Sequence, residues 1–118
     1  MTAGTYNFTI EQGSDLNKSM QFWTDATKTV KVDLSLYTFA MQIRREKNSV
    51  DEIDSLTDAN SRIDVTNKAT GVIILKWTAA QTAAFDFDEA VYDLEFTLAG
   101  VITRMLEGTI TLSGEVTR

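Results

Sequence analysis

The final stretch of the chain, AVYDLEFTLAGVITRMLEGTITLSGEVTR at residues 90–118, alternates apolar and polar residues almost to its end. Tyr92, Leu94, Phe96 and Leu98 fall on one side; Asp93, Glu95 and Thr97 fall on the other. A period of two fits a strand with one face in a core and one in water, because successive side chains of a strand point to opposite faces. A helix would need apolar residues every three or four positions. The same period recurs at Tyr6, Phe8 and Ile10, and at Leu16, Met20 and Phe22, where Lys18 interrupts the apolar side and Trp23 points the other way. It continues at Val30, Val32 and Leu34, and at Phe39, Met41 and Ile43. A weaker strand is expected near Ile53 to Thr57, and Ile63 and Val65 start another. In VIILKW, Ile73, Leu75 and Trp77 face one way and Val72 and Ile74 the other, so both faces are apolar.

Between these runs lie GSD, DANS, NKATG and, at 99–100, AG; with no proline in the chain, the turns rest on Gly, Asn, Asp and Ser. Gly108, inside a strand pattern, is expected to mark a bulge. The segment TAAQTAAF reads as a helix, with Thr78 as N-cap and alanines of high helix propensity, but it spans only about two turns. Together these features predict one all-β domain over residues 1–118. Its architecture is a β-sandwich of about seven to nine short strands with one short connecting helix near 78–85.

One local motif makes the sandwich more specific. DEAVYDL has the D-x-A-x-Y-x-C spacing of the corner before strand F of immunoglobulin domains, with Leu94 in the cysteine position. On that reading Tyr92 is a buried structural tyrosine. Its hydroxyl bonds backbone a few residues upstream, between about Phe85 and Asp88, and the helix leads into the corner. The alternative is that Tyr92 is an ordinary strand aromatic.

The missing residue types remove chemistry. There is no cysteine and no histidine, so thiolate nucleophiles, zinc–thiolate sites and a Ser-His-Asp triad are excluded. The net charge is −6, and the nearest approach to a basic stripe, Arg44, Arg45 and Lys47, is broken by Glu46, so nucleic acid is not an expected partner. No apolar run reaches the roughly 20 residues that span a bilayer, and no membrane partner is expected. The opening MTAGTYNFTIEQG lacks the basic and apolar regions of a signal peptide, which leads to an expectation of cytoplasmic synthesis and of NFT and NKS as chance glycosylation matches. Asp51, Glu52, Asp54 and Asp58 form one acidic group, and Asp86, Asp88, Glu89 and Asp93 another. Neither has calcium-loop spacing. The loop DFDEA could hold a hard cation, a carboxylate pair could serve a glycan-acting enzyme, and the plain reading is a solvated acidic rim. No cofactor is expected.

Five residues are candidates for an interface. Trp23 points away from Phe22. Val72 and Ile74 make a second apolar face. Phe85 and Phe87 sit in a loop, where they either present an interface or plug the open end of a sandwich.

The order of YNFTIEQGSD, VDLSLYTFAMQIR, AVYDLEFT and RMLEGTITLSGEVTR along the chain resembles a family of small tailed-phage virion proteins, similar to the immunoglobulin-like N-terminal domain of phage baseplate upper proteins. D-L-x-x-Y-x-x-x-x-Q-I-R at 33–44 and the closing E-V-T-R carry most of the likeness. The chain departs from the pattern at Leu36, where a glycine is expected, at Gly114, where a proline is common, and at Lys18, where an apolar residue is usual. The resemblance implies no catalytic residues. It implies a virion protein, made in the host cytoplasm, that binds other phage virion proteins and repeats as a homo-oligomer, a trimer or hexamer at the tail. A head-decoration protein on the capsid is the alternative within that class, and a glycan-acting enzyme the alternative outside it.

Overall fold

The computed structural model of the protein describes residues 4–23 and 33–114. Among these, nine strands form two sheets. The larger contains β1 (Gly4–Thr5), β2 (Phe8–Glu11), β9 (Val101–Ser113), β8 (Glu89–Leu98), β4 (Thr38–Arg44) and β5 (Asp54–Thr57). In it β1 and β2 both pair with β9, and the order then runs β9–β8–β4–β5. The smaller sheet is β3 (Leu16–Gln21), β7 (Val72–Trp77) and β6 (Ile63–Asp64), in that order. Pairing is antiparallel except at β1 and β2, which run parallel to β9. This is the arrangement of an immunoglobulin-like β-sandwich. The small sheet corresponds to strands B, E and D, and the large one to G, F and C with C′ added at the edge, as in variable-type domains.

The alternation read from sequence becomes the core. Phe39, Met41 and Ile43 of β4, Tyr92, Leu94 and Phe96 of β8, and Ile73, Leu75 and Trp77 of β7 are all buried and face one another between the sheets. Phe96 is ringed by Phe39, Phe22 and Tyr37, with centroids 4.8, 5.0 and 6.0 Å away and edge-on geometry, the arrangement that ring quadrupoles favour. Lys18 sits on the inward side of β3 and is only half-buried. Its ammonium lies 5.0 Å from the Tyr6 ring centroid and 5.7 Å from that of Phe8. A lysine is tolerated there because its stem covers apolar surface while its charge rests over aromatic faces.

The turns follow their residues. Ala99 and Gly100 both have positive φ, 50° and 82°, which makes the two-residue β8–β9 loop a type I′ hairpin turn. The helix α1 (Ala79–Ala83) begins at Thr78 with a full capping box: Gln81 N–H donates to Thr78 Oγ1, and Thr78 N–H donates to Gln81 Oε1. It is fastened to the turn after β2. Ala79 N–H donates to Asp15 Oδ1 at 2.6 Å, and the fully buried Thr82 accepts from Gly13 N–H and donates to the Ser14 carbonyl. Among the described residues no helix is long and apolar enough to cross a membrane.

Two expectations need correction. The bulge in the β8–β9 ladder is not at Gly108: the register steps from Leu94↔Leu106 to Glu95↔Arg104, so Met105 is the extra residue, and Gly108 pairs regularly with Tyr92. The strand expected through Val30, Val32 and Leu34 is absent at its described end: Leu34 is buried but lies outside any strand. Val30, Val32 and the closing E-V-T-R lie outside the described residues.

Candidate interaction surfaces

Tyr92 is buried, at 4% exposure, as expected, and its hydroxyl bonds backbone, but not at the expected place. It donates to the Tyr6 carbonyl at 2.6 Å, and no bond runs to the 85–88 segment. The reason lies opposite it. Gly108 is the cross-strand partner of Tyr92, and a Cβ there would meet the Tyr6 oxygen at 2.2 Å. The glycine lets the N-terminal strand come close enough for Tyr92 to reach over β9 to it. With the Tyr6 carbonyl turned toward Tyr92, Asn7 Oδ1 accepts the Thr109 N–H at 2.9 Å. Burial, with a smaller effect from Tyr6, pushes the Tyr92 hydroxyl well above its ordinary pKa.

Phe85 and Phe87 are not interface residues. Both are buried, at 7% and 3% exposure, with ring centroids 5.3 Å apart, and they belong to the core cluster. They close the end of the sandwich, because Gln12 Nε2 donates to the Phe85 carbonyl and α1 holds the loop against the β2–β3 turn. Val72 and Ile74 are placed differently. They lie on the outward face of the central strand β7 and are half-buried, with Gln21 and Ser19 beside them on β3 and Asp64 beside Ile74 on β6. Trp23 is half-buried just beyond β3. The structure therefore brings Val72 and Ile74 together on one sheet face.

Sequence reasoning missed a groove of about 670 Å³ at the helix end of the sandwich, between the β4–β5 loop and α1. Arg45 and Asp86 form an ion pair across it, with side chains 54% and 77% exposed. On its floor Asp54 accepts two bonds from Arg62, at 3.2 and 2.8 Å, and one from Trp77 Nε1 at 3.0 Å. These side chains are only 16% (Asp54) and 19% (Arg62) exposed, and they tie the edge of one sheet to the other. Asp86 and Asp54 were visible as acids in the sequence. Their partners were not, because Arg45 is 41 residues from Asp86 and nothing local connects them. Among the described residues no three acidic side chains converge as a metal site.

No family model matches the chain, and no curated protein matches it. Solved structures do. One is an uncharacterized protein from Bacillus anthracis str. Ames, at 11% identity and TM-score 0.41, covering 96% of this chain and 85% of that one. Another is the extracellular fragment, with stalk, of novel immune-type receptor 11 from Ictalurus punctatus, at 11% identity and TM-score 0.35, covering 100% and 89%. A mutant extracellular fragment of novel immune-type receptor 10 matches at 10% identity and TM-score 0.35, covering 96% of each chain. These likenesses are distant, and the immunoglobulin-like assignment rests on the strand order of the two sheets.

Proposed function

We propose that this chain is a non-enzymatic structural module of a tailed-phage virion, placed in the tail, baseplate or fibre-attachment region and acting by binding other virion proteins. The observation that carries the reading is the order and spacing of four motifs, from YNFTIEQGSD to RMLEGTITLSGEVTR, over nearly the whole sequence. The architecture suits such a role, because sheet faces, edges and end loops serve as contact surfaces without a catalytic pocket. Repetition by symmetry in the particle makes a homo-oligomer the expected state, with Val72 and Ile74 as the seam. In the end groove Asp54 and Asp86 are each tied to an arginine, Arg62 and Arg45, so their contacts are structural and do not single them out as the acid–base pair of a glycan-acting enzyme.

Mass spectrometry of purified particles tests the proposal. The peptide is expected among the structural proteins at a constant ratio to them. Its recovery only from the cytoplasm of infected cells would overturn the reading.

A further inference from the structure

An open sandwich ends in edge strands whose outward N–H and C=O groups can pair with another chain. At β5 those groups are already taken by side chains. Thr57 N–H donates to Asn60 Oδ1 at 2.9 Å, and Asn60 Nδ2 donates to the Ser55 carbonyl at 3.2 Å. Ser55 N–H donates to Asp54 Oδ1 at 3.0 Å. Ser55 and Thr57 lie opposite Gln42 and Ala40 of β4, yet these groups bond side chains and not β4, so they face the open side of the strand. One asparagine thus occupies a donor and an acceptor two residues apart, the spacing at which a neighbouring antiparallel strand would engage them.

We propose that Asn60 is an edge cap that keeps a second copy of this chain from adding across β5, and that without it two copies join there. The strand is self-complementary. A two-fold axis at Leu56 sets Ser55 opposite Thr57 of the other copy, so that the Ser55 carbonyl freed by loss of Asn60 accepts from the Thr57 N–H across the axis, and the Ser55 N–H completes the pair by leaving Asp54 Oδ1. Symmetry repeats the pair, giving one continuous sheet. Leu56 itself is buried inward, so only the small polar side chains of Ser55 and Thr57 face out beside the seam.

Asn60 also serves its own turn. Its Oδ1 accepts from Arg62 N–H, and its N–H donates to Thr57 Oγ1, both at 3.0 Å. The bond from Nδ2 to Ser55 reaches back into the strand, beyond what the turn requires. The inference is independent of the virion reading, since it concerns only what this edge can accept.

Amide hydrogen exchange at Thr57, followed at several protein concentrations, tests it. In the wild-type protein this amide is expected to be protected at every concentration; exchange at the rate of a free amide would overturn the cap. In Asn60→Ala it is expected to exchange roughly tenfold faster or more in dilute solution, and to regain protection as concentration rises and sedimentation moves to twice the mass. Fast exchange at all concentrations would overturn the pairing, and protection at all concentrations would show that Asn60 is not the cap. Asn60→Asp keeps the acceptor for the Thr57 and Arg62 N–H groups but puts an oxygen where Nδ2 met the Ser55 carbonyl, so it is expected to keep the turn and the Thr57 protection in dilute solution, and to associate less than Asn60→Ala. Loss of Thr57 protection in Asn60→Asp equal to that in Asn60→Ala would show that Asn60 Oδ1 is not what covers this amide and would refute the proposal. If Asn60→Ala does not fold, Asn60→Gly removes the same groups and is read the same way.

Discussion

Gly108→Ala is the most informative single change, because its effect follows from one distance. The new methyl carbon would lie 2.2 Å from the Tyr6 carbonyl oxygen and 2.8 Å from Asn7 Oδ1. Neither neighbour is a loose side-chain tip: one is backbone, and the other is held by Thr109 N–H. The N-terminal strand must therefore move away from β9. Overpacking of this kind costs about 1–3 kcal/mol, and the strained Tyr92–Tyr6 hydrogen bond adds about 0.5–1.5 kcal/mol. The expected total is about 1.5–4.5 kcal/mol. The ceiling is set by release of β2 from the core, which exposes Phe8 and Ile10 at about 1.5–3 kcal/mol each. Urea melts give the loss as a lowered midpoint. A double-mutant cycle gives the mechanism. Tyr92→Phe is expected to cost about 1 kcal/mol in the wild-type background and close to nothing in Gly108→Ala, where the bond is already broken. Equal cost of Tyr92→Phe in both backgrounds, or a nearly neutral Gly108→Ala, would refute the account of how the N-terminal strand is held.

The other predictions use separate parts of the fold. Asp54→Ala removes the partner of both Arg62 and Trp77 Nε1 and is expected to cost about 2 kcal/mol, below the value for fully buried pairs because solvent still reaches this one. Arg45→Ala breaks the exposed pair with Asp86 and is expected to change stability by less than about 0.5 kcal/mol; equal losses in the two melts would contradict the difference in burial. Ala99→Asn should stabilise by about 0.5–1 kcal/mol, since asparagine tolerates the left-handed conformation that the I′ turn imposes on Ala99; a lower urea midpoint would count against it. The Tyr92 hydroxyl holds its proton more tightly in the folded than in the unfolded state, so its contribution is fully present below about pH 10 and is lost as pH rises through the folded value. The stability gap between wild type and Tyr92→Phe should therefore narrow in alkali, and parallel curves from pH 8 to 11 would contradict this.

Much of the fold was legible because burial alternates as the side chains do. Period alone places Phe39, Met41 and Ile43 on one half-buried strand face, and all are buried; it groups Ile73, Leu75 and Trp77 on one face of a strand apolar on both, and that face is the one the core takes. The Thr78 cap and the Ala99–Gly100 turn were legible for the same local reason. Features set by distant chain were not. The partner of Tyr92 lies 86 residues away, and local spacing pointed to the nearer 85–88 segment instead. Gly108 was read as a bulge because a strand glycine serves either a bulge or a close approach, and only the position of the N-terminal strand decides between them. Phe85 and Phe87 could face out or in on sequence grounds; the clamp between α1 and the β2–β3 turn turned them inward. Lys18 looked like a break in a strand, and its aromatic partners, Tyr6 and Phe8, come from the N-terminal segment, Phe8 from β2.

The central claim, that this sandwich is a building block of a virion tail, is tested most directly by imaging particles that carry the protein with a genetically fused density label. The account predicts label density at the tail or baseplate, repeated with the rotational symmetry of a closed ring. Label density on the capsid lattice would contradict the tail assignment and identify a head-decoration protein, and particles without label would contradict the virion reading altogether.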